Sequence, residues 1–256
     1  MKKYLVSLEK DHHRRELFFS QADTADFELF NAINTMNEDL TSLAQKFDVE
    51  KFYQRYQRHI TKGEAGCTFS HLAIYRLILA NNQIKEEEYS LICEDDALFN
   101  QDFQENLAQL VQQKNGADFI LVGQSKINDF NDSNLEIEYP TTLFSLMNKF
   151  GKGQYRYGLP YLPYYAGTVA YLIKKSAIRK LLAQLDNQLP FWLADDFILF
   201  EKQFGLTMQV VRPLMAIENP VLTSNLETQR GSIQQSLFKK LLKYPAKKAL
   251  AIKRNL

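Results

Sequence analysis

The amino-acid sequence predicts an α/β protein built around a mostly parallel sheet. Two observations carry this. Short, apolar, β-rich segments alternate along the chain with longer ones whose apolar residues recur at the helical period of about 3.6, the order expected of strand–helix–strand units. The chain's 256 residues, 45% hydrophobic and 24% charged, are enough to bury a full core.

The first strand is KKYLVSL at 2–8, short and β-rich, and FELFNAIN at 27–34 supplies a second. A helix is predicted over 68–82, where Phe69, Leu72, Ala73, Ile78 and Leu79 form the apolar face. Asn81 and Asn82 stop it, and Gly63 and Gly66 open it. A strand at 88–93 runs into Glu94, Asp95 and Asp96. A helix at 101–113 and a strand at 117–123 follow. Residues 124–166, rich in Asn, Tyr, Gly and Pro, read as long loops. Residues 167–185 read as strand then helix, 193–205 as a helix ended by Gly205, and 206–213 as a strand. Neither an internal repeat nor a low-complexity tract is present.

The formal net charge is +1, but the eight basic residues after Glu227 have no acidic counterpart, so residues 1–227 carry −7. A mildly acidic body argues against nucleic acid as a partner. Cys67 and Cys93 lack metal-ligand spacing and read as reduced, half-buried thiols of a reducing compartment, the cytoplasm. The start MKKYLVSLEKDHHRR lacks a signal-peptide core, and no stretch reaches the roughly 18 apolar residues of a spanning helix.

Ligands of such sheets bind outside the carboxyl ends of the strands, where Glu94, Asp95 and Asp96 stand. Strand alternation places Glu94 and Asp96 on one side and Asp95 on the other. Two carboxylates on one side suit a hard divalent cation sharing oxygens with a phosphate; the bland alternative is a solvated turn. The box GEAGCTFSH at 63–71 offers amides to an anion or is a plain loop-to-helix junction, with His71 a satisfied helix histidine. The pair Asp195–Asp196 in LADDF either does chemistry or caps a helix. Five tyrosines within 153–167 suit sugar rings or form a folded lid.

The segments VSLEKDHHRR, FNAIN, GEAGCTFSHLAIY, ICEDDALF, GTVAYLIKKSAIRKLL and LADDF, in this order over residues 2–218, resemble glycosyltransferase family 25, which includes lipooligosaccharide galactosyltransferases of Gram-negative bacteria. The resemblance implies a GT-A type, Rossmann-like nucleotide-sugar-binding fold, a UDP-sugar donor, a Mn²⁺ or Mg²⁺ ion and inversion at the anomeric carbon. It implies that Glu94, Asp95 and Asp96 form the donor and metal site, with Asp96 and Glu94 on the metal. Ser7, Leu8, Arg14 and Arg15 then form the nucleotide edge after the first strand. Gly63, Glu64, Gly66, Ser70 and His71 bind donor, and Asp195, with Asp196 in reserve, is the catalytic base. Cys93 replaces the bulky aliphatic residue usual before the acidic triplet, a change of volume and not of chemistry. The expected reaction moves galactose, or else glucose, to a lipooligosaccharide core. The rivals are a metal-dependent phosphoryl transferase or phosphatase and a non-catalytic carbohydrate-binding domain. The expected organisation is a catalytic domain over 1–227 and a basic amphipathic tail over 228–256. In that tail Ile233, Leu237, Phe238, Leu241 and Leu242 share a face that either touches the anionic inner membrane from the cytoplasmic side or docks on the body and leaves a solvated basic face.

Overall fold

The computed structural model describes residues 1–113, 115–127, 129–132, 134–151, 154–162, 167–222 and 237–256, with backbone only for 237–240. Chain order gives β1 (Lys3–Ser7), α1 (His12–Phe19), β2 (Glu28–Asn31), α2 (Leu40–Lys46), α3 (Val49–Tyr56), α4 (Lys62–Ala80), β3 (Tyr89–Glu94) and β4 (Ala97–Phe99). Then come α5 (Phe103–Val111), β5 (Phe119–Leu121), β6 (Gly123–Gln124), α6 (Leu135–Glu138), a 3₁₀ turn (Phe144–Leu146), β7 (Asn148–Phe150) and β8 (Tyr155–Gly158). The chain continues with β9 (Ala170–Lys174), α7 (Lys175–Ala183), α8 (Phe197–Lys202), β10 (Met208–Arg212), β11 (Ala216–Glu218) and α9 (Leu237–Asn255).

Eight strands form one sheet in the order β2-β1-β3-β9-β5-β10-β8-β7. β1 is parallel to β2 and β3, and β10 to β5, while β9 is antiparallel to β3 and β5 and β8 to β10 and β7. Only β9 and β8 are therefore reversed, so the sheet is mixed in its pairing and mostly parallel in direction. The trio β2-β1-β3 with its helical crossovers is the Rossmann-like half, and the ends of β1 and β3 open on the same edge. A second sheet, β4-β11-β6, lies beyond the acidic triplet.

Helices cover both faces, which is why the strand segments read as unbroken apolar runs. Tyr4, Val6, Ile92, Phe119, Leu121, Tyr171 and Ile173 face one core with side chains of α4, α7 and α8. Leu5, Leu91, Cys93, Ile120, Ala170 and Leu172 face the other with α5. Burying each large aliphatic side chain stabilises the fold by about 1.5–3 kcal/mol. Cys93 is fully buried opposite Ala170 of β9, and Ala170 in turn crowds Gly123, whose added Cβ would lie 3.0 Å from the Cβ atoms of Ala170 and Ala216. The small thiol suits a site where three backbones crowd together.

Three local expectations need correction. Residues 124–166 carry α6 and the β7–β8 hairpin, which extends the sheet beyond β10. Tyr155 and Tyr157 are buried against Phe150, so these two tyrosines are core and not a sugar platform; Gly153 and residues 163–166 of that segment lie outside the described residues. The helix expected at 68–82 begins at Lys62. Thr61 and Glu64 form a reciprocal capping box there, so both glycines lie inside the helix. A Cβ at Gly66 would come within 2.6 Å of Thr35 Oγ1 and 2.8 Å of the Ile33 carbonyl, so this glycine lets the 33–35 loop press onto α4. The helix expected at 193–205 is confined to Phe197–Lys202, with Asp196 as its N-cap.

Of the expected tail, Leu237–Asn255 form α9, which docks on the body. Lys247 donates to the Glu138 carbonyl, Lys248 pairs with Glu136, Arg254 with Glu201, and Ala251 is buried. Leu241, Leu242 and Leu250 stay exposed. Ile233 and the expected boundary at 227–228 lie outside the described residues, as do the side chains of Leu237 and Phe238. Among the described residues no helix is long and apolar enough to cross a membrane.

Candidate active site

A cleft of about 260 Å³ opens at the carboxyl ends of β1 and β3. β1 contributes Ser7 and Leu8, α1 Arg14, α4 Gly63, Gly66, Ser70 and His71, and the end of β3 Glu94, Asp95 and Asp96. The loop after β2 closes the opposite wall with Ile33, Asn34 and Thr35. Ten residues expected at the site thus share one cavity. Arg15, Glu64, Asp195 and Asp196 do not line it.

β3 ends at Glu94, and Asp95 and Asp96 form the turn into β4, so strand alternation does not reach them. The pairing of sides is accordingly different from expectation. Arg14 spans Asp95 and Asp96, with Nε 2.6 Å from Asp95 Oδ1 and Nη2 2.7 Å from Asp96 Oδ2. Glu94 turns the other way, accepting from Thr168 Oγ1 and facing His71 Nε2 at 3.6 Å. Helix α1, not foreseen in DHHRRELFF, places Arg14 over the acids and Arg15 at the strand edge. There Arg15 donates to Ser7 Oγ at 3.0 Å and to Asn31 Oδ1 at 3.0 Å.

Electrostatics single out Asp96. Burial, aided by the charges of Glu94 and Glu218 and opposed by Arg14, pushes its carboxyl up to about 8. Its Oδ1 is buried and has no hydrogen-bond partner among the described residues. Burial also raises Asp95 against the pull of Arg14. For Glu94 burial acts upward too, but His71, Thr168 and Arg14 together bring it below the usual range. Three further carboxylates, Glu94, Asp95 and Glu218 at the end of β11, thus act on Asp96, and Arg14 holds two of the four, Asp95 and Asp96. A buried, unpartnered carboxylate oxygen in such a group fits a hard divalent cation with oxygen ligands. Glu218 and Thr168 were missed in the sequence, because each reaches the cluster through strand pairing far from the triplet.

The glycine box does different work from that expected. Both Glu64 oxygens are engaged, by Arg58 at 2.6 and 2.8 Å and by the Thr61 amide, and the carboxylate is fully buried. Glu64 caps α4. The acid pair after Trp192 also divides. Asp196 accepts the Leu199 amide at 3.0 Å, Arg55 through Nε and Nη2, and the Tyr56 hydroxyl. Asp195 accepts the Gly167 amide at 2.9 Å, next to the Thr168 that holds Glu94. Gly167 has φ +73° and no room for a Cβ, which would fall 1.9 Å from Ser125 Oγ.

A fold whose strand ends gather acids around an open cleft belongs to the Rossmann-like α/β class, and the comparisons narrow this. The family model of glycosyltransferase family 25 (LPS biosynthesis protein) matches residues 1–199, so the chain belongs to that family. A glycosyltransferase 25 family member of Aedes aegypti is 29% identical over 134 residues, 49% of this chain and 21% of that protein. The inactive glycosyltransferase 25 family member 3 of Homo sapiens is 29% identical over 150 residues, 55% of this chain and 20% of that protein. The chain spans about a fifth of the length of the curated relatives it matches. Among solved structures, the inositol-1-phosphate CTP transferase from T. maritima aligns over 91% of this chain and 98% of its own, at 15% identity and a TM-score of 0.39.

Proposed function

We propose that the protein is an inverting glycosyltransferase that moves a hexose, galactose before glucose, from a UDP-sugar to a lipooligosaccharide or lipopolysaccharide core. Family membership supports the reaction class, and the family's description as an LPS biosynthesis protein supports the acceptor. The single observation that carries the reading is the buried Asp96 Oδ1, which has no hydrogen-bond partner among the described residues, in the wall of the cleft with three other carboxylates acting on it.

Asp96 and Glu94 would hold Mn²⁺ or Mg²⁺, with Glu218 beside them. A bound ion would neutralise charge developing on the leaving diphosphate, worth several kcal/mol. Ser7 and Leu8 at the end of β1, braced by Arg15, form the wall for the nucleoside. Arg14 positions Asp95 and Asp96 and adds positive charge on the donor side. Inversion needs a base on the opposite face of the sugar. Asp195 takes that role, because Asp196 is committed to Arg55, Tyr56 and the start of α8. The exposed Leu241 and Leu242 with Lys243 then rest α9 on the anionic face of the inner membrane.

The test is titration of the full chain with UDP, with and without Mn²⁺, followed by assay of UDP release from UDP-galactose and UDP-glucose. Metal-dependent UDP binding and release from one donor are expected. Failure to bind UDP in the presence of Mn²⁺ defeats the reading.

A further inference from the structure

We propose a second metal site in the wall of the cleft, formed by Cys67 Sγ, His71 Nε2 and the Glu94 carboxylate, that prefers Zn²⁺ over Mn²⁺ and Mg²⁺. It goes beyond the proposed transfer reaction and does not depend on it. Cys67 and His71 are four residues apart on α4 and so share one face, and Glu94 reaches them from the end of β3. The three ligand atoms all lie within 4.8 Å of one another. In a tetrahedral zinc site, with bonds of roughly 2.0–2.3 Å, ligand atoms stand about 3.3–3.6 Å apart. His71 Nε2 and Glu94 Oε1 are already 3.6 Å apart, too far for a good hydrogen bond and suited to two ligands of one ion.

The histidine is held as a metal ligand is held. Its side chain is 2% exposed and, among the described residues, its Nε2 has no hydrogen-bond partner, an arrangement that costs stability unless an ion takes the lone pair. Its Nδ1 lies 2.6 Å from the Tyr171 hydroxyl, which lies 2.7 Å from that of Tyr75. With an ion bound, Tyr171 donates to Tyr75 and accepts Nδ1–H, which leaves the Nε2 lone pair for the metal in place of the proton that otherwise faces Glu94. This outer partner fixes the tautomer and orientation of a ligating imidazole. Thr168 does the same for Glu94.

The donor set decides the metal. Thiolate and imidazole favour Zn²⁺, whereas the neighbouring oxygens of Asp96 and Glu218 favour harder ions. On binding, the Cys67 thiol gives its proton to solvent and its sulfur to the ion. Three protein ligands leave a fourth position for water or a ligand oxygen, as in zinc sites that do chemistry. Because Glu94 belongs to both groups, Zn²⁺ and the harder ion compete for it.

The experiment uses the full chain stripped of metal and titrated with Co²⁺, then Zn²⁺. A near-ultraviolet thiolate-to-cobalt charge-transfer band is expected, bleached by Zn²⁺ and not by excess Mg²⁺. Cys67→Ser should abolish the band and weaken Zn²⁺ binding at least tenfold. Tyr171→Phe should keep the band and weaken binding by about 10–100-fold. A measurement on the unaltered chain stands beside these: Cys93 is fully buried, so alkylation reports on Cys67, and Zn²⁺ should protect it. Cobalt binding without the band, parent-like Zn²⁺ affinity in Cys67→Ser, or unprotected alkylation overturns the site and leaves a His71–Glu94 pair.

Discussion

The two acidic clusters look alike in the sequence and are opposite in the structure. Asp196 sits among donors: a guanidinium, a phenol and a helix amide meet its two oxygens. Asp96 has one guanidinium nitrogen on one oxygen, no partner among the described residues on the other, and three more carboxylates acting on it. A saturated acid holds the fold, and an undersupplied one is held by the fold for something else. Acidic residues in a motif therefore say less than the donors around them.

The largest effect should come from Asp96. Asp96→Ala removes the undersupplied carboxylate and with it the several kcal/mol expected of charge neutralisation, about a 10³-fold loss of transfer or more. Stability should move the other way. The native carboxyl titrates near 8, above its unfolded value, so the metal-free native state loses stability as pH rises between the two. Asp96→Asn ends that loss. Metal-free Asp96→Asn at pH 8 should melt at or above the parent temperature, and Mn²⁺ should raise the melting temperature of the parent only. A variant that keeps its turnover in EDTA breaks the contrast with Asp196.

Asp195 accepts the amide of Gly167, the residue before the Thr168 that holds Glu94. Asp195→Asn keeps size and removes the proton acceptor, for an expected fall in kcat of about 10²–10⁴-fold. The Kd for UDP should stay within a few-fold of the parent, since the base acts on the acceptor side. Near-normal turnover, or loss of UDP binding instead, removes Asp195 from the role.

Asp196→Ala should act through stability. It deletes an N-cap, worth about 1 kcal/mol, and strips Arg55 and Tyr56 of their partner, for roughly 2–3 kcal/mol in all. That corresponds to a melting temperature lower by about 5–10 °C, while the activity of molecules that remain folded changes far less than in Asp195→Asn. A melting temperature within about 1 °C of the parent would erase the distinction between the two clusters.

Much of this was legible. Apolar runs gave the central strands β1, β3, β5, β9 and β10, because strands buried on both faces leave a continuous signal. The triplet at the end of β3 and the two glycines of α4 marked the cleft. What escaped was set by tertiary partners. Helix α1 has few apolar residues, so its period is faint, yet it delivers Arg14. β7, the edge strand, and its partner β8 are short and lie in a segment crowded with Gly and Tyr. The start of α4 at Lys62 was marked by Thr61-x-x-Glu64, a capping signature overlooked beside the glycines. Thr168 and Glu218 carry no motif and join the site only through β9 and β11.

The smallest effect expected concerns α9, where the same contrast of satisfied and unsatisfied charge recurs. Lys247, Lys248 and Arg254 are used against the body, through the Glu138 carbonyl, Glu136 and Glu201. They therefore add little to any outward field. Leu241 and Leu242 are 51% and 66% exposed, and Lys243 lies next to them in sequence. A cation near an anionic surface is worth about 1 kcal/mol, less as salt is added, and two leucines add partial burial. Liposome co-sedimentation should thus show weak, salt-sensitive binding to anionic vesicles and none to neutral ones. The double variant Leu241→Ser, Leu242→Ser with Lys243→Gln should lower the bound fraction several-fold while leaving UDP affinity unchanged. Lys247→Gln should barely alter lipid binding, because its ammonium already faces Glu138. If instead the Lys247 change matters as much as the outward set, the helix leaves the body to reach the membrane.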